Sequence, residues 1–326
     1  MAIKITVSES GQEILRVEGL TKHYGYNYRI GPFKISGDLV KAVQDVSFYI
    51  RKGEIFGFLG PNGAGKSTTM RCIMAYLKIQ GGSIEIFGLD YKKDALLIRN
   101  RIGYLPGDVA LYKNFTGSEL VEYLGKFRPA NKEMLDKLRG IFKVNLNKKI
   151  GALSSGNRQQ VAVIAALASN PDLLILDEPT GGLDPLMAAR LHRLLIDLRN
   201  QGKTIFLSSH DLFEVQKVCD RVGIIREGRM IVIEKVETLL EKSLQELTIE
   251  FDASPIPSED DFRALANVVA VQKNRQNNKF HLKVKEDVNE LLKFLSQYQI
   301  KRLTLTDASL EEIFLHYYTD NAREQA

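Results

Sequence analysis

EIFGFLGPNGAGKST, residues 54–68, decides the fold. Its first half is an apolar run that reads as a buried strand, and its second half matches G-x-x-x-x-G-K-[ST]. The residues that follow, STTMRCIMAYL, read as a helix. Strand, glycine-rich loop and helix in that order make a phosphate cradle, because backbone N–H groups wrap a polyphosphate at the positive end of the helix. Gly60, Pro61, Asn62, Gly63, Ala64, Gly65, Lys66, Ser67 and Thr68 are the candidate nucleotide-binding residues. Lys66 reaches the terminal phosphates, and the Ser67 hydroxyl is placed to ligate Mg²⁺. A purely structural glycine turn is the competing explanation.

Working outward, short apolar strands alternate with helical segments. EIFGFLG (54–60), SIEIFG (83–88), RIGYLP (101–106), DLLILD (172–177), TIFLSS (204–209) and DRVGIIREG (220–228) predict an α/β domain with a largely parallel sheet. DLLILDEP ends in adjacent carboxylates. A buried strand delivers Asp177 to the sheet edge as a Mg²⁺ partner, and Glu178, pointed differently, can orient and deprotonate a water. His210, in TIFLSSHD, ends another strand where an imidazole can bond a terminal phosphate. LSSGNRQQ (153–160) runs into the alanine-rich VAVIAALAS and forms a second anion-type helix start.

The chain has 326 residues, 44% of them hydrophobic, and a formal charge of +5. That length suits two packed domains. Apolar runs such as VAVIAALA fall short of the roughly 18–20 residues of a membrane span, and MAIKITVSESGQE lacks a signal-peptide pattern, so a cytosolic protein is expected. The mild charge points to neither nucleic acid nor membrane surface. Two cysteines, Cys72 and Cys219, make no metal spacing and read as small buried helical residues.

Between about 110 and 165 the pattern turns helical, with GSELVEYLGKF and KEMLDKLRGIF preceding the helix after LSSG. From about 245 the order becomes strand LTIEF, helix SEDDFRALA, strand VVAVQKN, turn RQNN, strand KFHLKVK, helix VNELLKFLSQ, strand KRLTLT. This β-α-β-β-α-β order is that of a ferredoxin-like unit, followed by a last helix, SLEEIFLHYY. That segment holds no cluster of catalytic-type residues and reads as a docking or regulatory module.

These motifs together resemble the nucleotide-binding subunit of an ABC transporter, over most of residues 14–235. GPNGAGKST looks like its Walker A, LLILDE its Walker B, LSSGN its signature, GGLD its D-loop and SSH its switch histidine. The resemblance implies a P-loop NTPase (ABC ATPase) core with a helical insert, plus a small α+β ferredoxin-like domain. The expected division is an ATPase domain at 1–240, with its helical subdomain at about 108–168, and an accessory domain at 241–326. It also implies that ATP and Mg²⁺ bind, and that two copies pair head to tail around two ATP molecules. The signature then completes the neighbour's site, with Ser154 as the phosphate-facing serine and Gly156 as its second glycine. Ser155 and Asn157 stand where glycine and glutamine are usual, and Asp184 falls in the D-loop.

Two further departures follow. Gly107, in RIGYLPGDVALY, occupies the usual glutamine position; either Asp108 substitutes through water or Mg²⁺ lacks that ligand. Tyr24 matches the adenine-stacking aromatic best. An insertion, YNYRIGPFKISGD, separates it from AVQDVSF, so Tyr26 or Tyr28 are alternatives, and the insertion itself is expected to be a surface loop near the nucleotide.

A single cassette with no span implies a separate polytopic permease, whose coupling helix would meet LYKNFTGSELVEYLGKF. The C-terminal module resembles that of drug, antibiotic and sodium exporters. The expected activity is ATP hydrolysis, with Glu178, His210 and Lys66 catalytic and Mg²⁺ held by Ser67, Asp177 and Asp108. The expected location is the cytoplasmic face of the membrane, with no nucleic-acid partner. The alternative is a soluble ABC ATPase acting on ribosome or nucleic acid, and a third reading is a regulator with little turnover.

Overall fold

The computed structural model describes residues 12–25, 27–30, 33–36, 39–241, 245–252, 254–274, 278–285 and 288–306. They separate into two compact units, divided between Glu234 and Lys235.

In the first unit the phosphate loop follows β5 (Ile55–Leu59), every residue of which is buried. A strand buried on both faces belongs in the centre of a parallel sheet. It lies between β10 (Thr204–Ser209) and β11 (Arg221–Arg226), both parallel to it. Beyond β10 come β9 (Leu173–Asp177) and β8 (Ile102–Leu105), also parallel, and β12 (Arg229–Lys235) adds the far edge. β12 returns through Glu227 and Gly228, both with positive φ (49° and 77°), as a two-residue hairpin turn requires. This order sets the exits of β5, β10 and β9 side by side at one sheet edge. The connecting helices are α1 (Lys66–Ile73), α6 (Pro185–Asn200) and α7 (Leu212–Val218).

SIEIFG does not join that sheet, contrary to the expectation of one largely parallel sheet. It forms β6 (Gly81–Ile86) in a second, antiparallel sheet with β1 (Glu13–Tyr24), β4 (Val40–Arg51) and the short β7 (Leu89–Asp90). The physical reason is patterning. β1 and β4 alternate buried and partly exposed residues, the signature of a sheet covered on one face. Their apolar face meets the parallel sheet. Phe48 stacks on Phe56 at 5.5 Å and 8°, and its centroid lies 5.4 Å from Phe58 and 5.5 Å from Phe206. The insertion after Tyr24, expected as a loop, contains paired strands β2 (Asn27–Ile30) and β3 (Phe33–Ser36).

The short α2 (Ala95–Arg99) precedes β8, and the helical segment after it holds α3 (Gly117–Gly125), α4 (Lys132–Ile141) and α5 (Ser155–Leu167). Thr116 and Glu119 form a reciprocal capping box on α3, and Asn131 caps α4. α5 lies so close to β8 that a Cβ on Gly103 would sit 2.4 Å from the Ala166 carbonyl. Glycine is required there.

The second unit opens with α8 (Val236–Glu241). β13 (Gln245–Phe251), α9 (Glu259–Arg263), β14 (Val268–Asn274), β15 (Lys279–Val284), α10 (Asn289–Leu295) and β16 (Ile300–Thr306) then follow. The sheet order β14-β15-β13-β16, with antiparallel neighbours, is the ferredoxin-like arrangement expected from the element order. Leu247, Ile249, Phe251, Phe280, Leu282 and Val284 face Phe262 of α9 and Leu291 and Leu295 of α10. SLEEIFLHYY and most of the RQNN turn lie outside the described residues.

Candidate active site

The loop from Gly60 to Gly65 is shaped by its glycines. Gly63 and Gly65 have φ of 82° and 109°, where L side chains are strained. A Cβ on Gly60 would lie 2.4 Å from the Ile225 carbonyl, and one on Gly65 2.5 Å from that of Ala42. Two of its amides are used internally, Gly60 donating to the Ser209 carbonyl at 3.3 Å and Ala64 to that of Pro61 at 3.1 Å. Lys66 is 5% exposed, and its Nζ donates to the Gly60 carbonyl at 2.6 Å and the Pro61 carbonyl at 3.2 Å. Its ammonium is therefore folded into the cradle rather than into solvent.

β9 delivers the carboxylates. Asp177 is fully buried; its Oδ1 accepts from the Ser208 hydroxyl at 2.5 Å and its Oδ2 from the Gly107 amide at 3.3 Å. Glu178 leaves the strand with φ of 50°, a left-handed conformation that costs a non-glycine residue roughly 1–2 kcal/mol. Its amide donates to the same Ser208 hydroxyl at 3.1 Å, so one serine bridges both acids. The Glu178 carboxylate has partners of its own. Oε1 lies 3.2 Å from Lys66 Nζ, and Oε2 lies 2.7 Å from Nδ1 of the exposed His210. Lys66, Glu178 and His210 are thus brought together from three strand exits.

A cleft of about 660 Å³ opens over Lys66 and Glu178; His210, Asp177, Gly60 and Ala64 are not among its lining residues. Pro61, Asn62, Gly63, Gly65, Lys66, Ser67 and Thr68 line one side of it, with Tyr24, Gly107, Asp108 and Glu178 around the rest. Tyr24, among the lining residues, is 39% exposed, with Lys22 Nζ 5.2 Å over its ring centroid. Tyr26 and the Tyr28 side chain lie outside the described residues.

Ser154, Ser155, Gly156 and Asn157 do not line this cleft. They form the start of α5, where the Ser154 hydroxyl caps the helix by accepting from the Asn157 amide at 3.3 Å. Ser154 and Ser155 are exposed. Gly156 is packed so tightly on the D-loop that a Cβ would lie 2.7 Å from the Gly182 carbonyl, and Gln159 Nε2 donates to Pro179 O at 2.9 Å. Asp184 is also outside the cleft lining; its Oδ1 accepts from the Met187 amide at 2.9 Å and caps α6.

Sequence reasoning missed Ser208, which orients both acids, and the contact between Gly107 and Asp177. The serine was legible as the first residue of SSH, but its two partners lie 30 and 31 positions away and follow only from strand pairing.

Comparison with known proteins gives the family. Residues 43–181 match the ABC transporter family, and residues 240–318 match the family described as ATP-binding protein DrrA1-3-like, C-terminal domain. The chain is 38% identical to the ABC transporter ATP-binding protein NatA of Bacillus subtilis (strain 168), over 66% of its own length and 90% of the relative's. It is 36% identical to the bacitracin transport ATP-binding protein BcrA of Bacillus licheniformis, over 67% and 68% of the two chains. Among solved structures, a dimeric post-hydrolysis state of the ATP-binding cassette MJ0796, bound to ADP and Pi, superposes with a TM-score of 0.58 at 25% identity. It spans 68% of this chain and 98% of that one. With a nucleotide-type cleft, a lysine–glutamate–histidine cluster and these relatives, the chain belongs to the ABC transporter ATP-binding proteins and is an ATPase of that family.

Proposed function

We propose that this subunit powers an exporter, acting on a separate polytopic permease through ATP-driven closure of a head-to-tail homodimer. One observation carries the reading: Lys66 and Glu178 line one cleft, with His210 bonded to Glu178, whereas the exposed Ser154 and the half-buried Gly156 lie outside its lining. A second copy related by a twofold axis would supply the missing wall to each cleft. The bacitracin-transport name of one relative and the DrrA-like C-terminal match support export. We assign residues 1–240 to the ATPase domain, with a helical subdomain at 108–168, and 241–326 to an accessory domain. Among the described residues no helix is long and apolar enough to cross a membrane. A peripheral position on the cytoplasmic face fits the proposed permease partner.

In this mechanism the loop amides and Lys66 stabilise charge on the transferring phosphoryl group. Glu178 orients the attacking water and takes its proton, His210 bonds the terminal phosphate, and Tyr24 stacks on adenine. The Ser67 hydroxyl lines the cleft, and the Asp177 carboxylate is buried behind Gly107; these hard oxygen donors would hold Mg²⁺, Ser67 directly and Asp177 through water. Asp108 also lines the cleft and would act on the ion through water. The ion would neutralise phosphate charge when bound.

The test is to purify the tagged Glu178→Gln protein with Mg-ATP from detergent-solubilised native membranes. A polytopic membrane protein in stoichiometric amount is the expected companion. Ribosomes or nucleic acid without a membrane protein would overturn the assignment.

A further inference from the structure

Glu214, on α7, is 2% exposed. It sits in LFEVQKV, four residues after His210, and no step above uses it. A buried carboxylate is costly unless donors surround it, and here the donors have a pattern. Oε2 accepts from the Ser209 hydroxyl at 2.6 Å and from the Thr180 hydroxyl at 3.2 Å. Oε1 lies 3.2 Å from Nε2 of His192, on α6.

Those partners are placed around the hydrolytic pair. Ser209 immediately precedes His210, and its carbonyl accepts from the Gly60 amide, at 3.3 Å, where the phosphate loop begins. Thr180 lies two residues after Glu178, inside the turn closed by the Gly181 amide on the Glu178 carbonyl at 3.0 Å. That turn carries the left-handed φ of 50° at Glu178, a conformation that persists only where surrounding contacts over-determine it. His192 belongs to the helix that Asp184 caps, so the other oxygen reaches the element that follows the D-loop.

We propose that Glu214 is a positioning residue for hydrolysis: one carboxylate oxygen fastens the strand end bearing His210 to the turn bearing Glu178. Its other oxygen ties both to the D-loop helix. Without it, the turn relaxes toward ordinary backbone and the 2.7 Å contact between Glu178 and His210 is lost. Phosphate-loop contacts to nucleotide are made by other residues and stay in place. The proposal rests on the hydrolytic roles assigned to Glu178 and His210.

The experiment uses the full chain and measures kcat, KM and binding of a fluorescent ATP analogue, with thermal unfolding run alongside. Glu214→Ala is expected to lower kcat at least tenfold while KM and analogue affinity stay within about threefold. Glu214→Gln, which keeps the shape and one acceptor oxygen, is expected to recover most of the rate. Because Glu214 acts through the pair, Glu214→Ala combined with His210→Ala should be no slower than His210→Ala alone, since groups acting as a unit are non-additive. Thr180→Val and Ser209→Ala remove one hydrogen bond each and should lower kcat several-fold at unchanged KM. They carry the test if Glu214→Ala does not fold.

An unchanged kcat in folded Glu214→Ala, a loss of affinity matching the loss of rate, or a multiplicative double mutant would each overturn the role. Failure of the underlying hydrolytic reading is seen separately, as a wild-type rate in His210→Ala, a variant that leaves Glu214 intact.

Discussion

Nδ1 of His210 lies 2.7 Å from Oε2 of Glu178, joining the ends of the neighbouring strands β10 and β9. The second oxygen of that carboxylate lies 3.2 Å from Lys66 Nζ, so Glu178 is shared between the phosphate-loop ammonium and the imidazole N–H that donates to it. Replacing it with glutamine keeps the shape and removes the base. Glu178→Gln should bind ATP within about threefold of wild type while turnover falls roughly 100- to 10,000-fold, the range general-base catalysis contributes. Phosphate release against equilibrium binding checks it, and unchanged turnover removes Glu178 from the role.

Lys66→Met keeps the stem and removes the buried charge. The loss of charge-assisted contacts to phosphate, about 1.5–3 kcal/mol, corresponds to roughly 10- to 150-fold weaker nucleotide binding. Isothermal titration with ATP reads it directly.

A Cβ on Gly107 would lie 2.9 Å from Asp177 Oδ2, and the Ser208 bond leaves that carboxylate little freedom to retreat. Gly107→Ala is therefore expected to displace Asp177 and raise the Mg²⁺ concentration for half-maximal ATPase activity several-fold. A Mg²⁺ titration at fixed ATP measures it; a superimposable curve would show that the carboxylate yields without consequence.

Gly156→Ala places a Cβ 2.7 Å from the Gly182 carbonyl and separates the start of α5 from the D-loop. Each chain keeps its own cleft, so ATP binding should stay within about twofold. Turnover, which requires the partner's signature in the proposed dimer, should fall at least tenfold. Equal losses of binding and turnover would count against a site completed in trans.

Burial raises the Cys72 thiol to about 11 and pushes the Cys219 thiol well above its ordinary value. At pH 8 a group titrating near 11 is only about 0.1% thiolate, the nucleophilic form. Native protein should therefore react with a disulfide reagent far more slowly than unfolded protein, in which both thiols titrate near 8.5. The same shift costs stability as pH rises above the unfolded value toward the folded one, because only the unfolded chain can ionise there. Fast labelling of two thiols in native protein would contradict the packing of both.

Local chemistry was legible in the sequence, for physical reasons that are themselves local. A phosphate loop needs contiguous glycines after a strand, so GPNGAGKST declares itself. Alternation and element order sufficed for the β14-β15-β13-β16 sheet, since short connections and one apolar face leave few topologies open. The tertiary structure alone decided which distant residues meet. Ser208 reaches Asp177, and Gly107 reaches across 70 positions to it, only because β8, β9 and β10 pair in parallel at one register. SIEIFG left the parallel sheet because β1 offered an antiparallel edge with a matching apolar face. Glu214 became a buried junction because its carboxylate meets the hydroxyls of Ser209, at the end of β10, and Thr180, after β9. Propensity and spacing act within a few residues, whereas these contacts depend on strand register and helix packing. Those are set by the burial of the whole core.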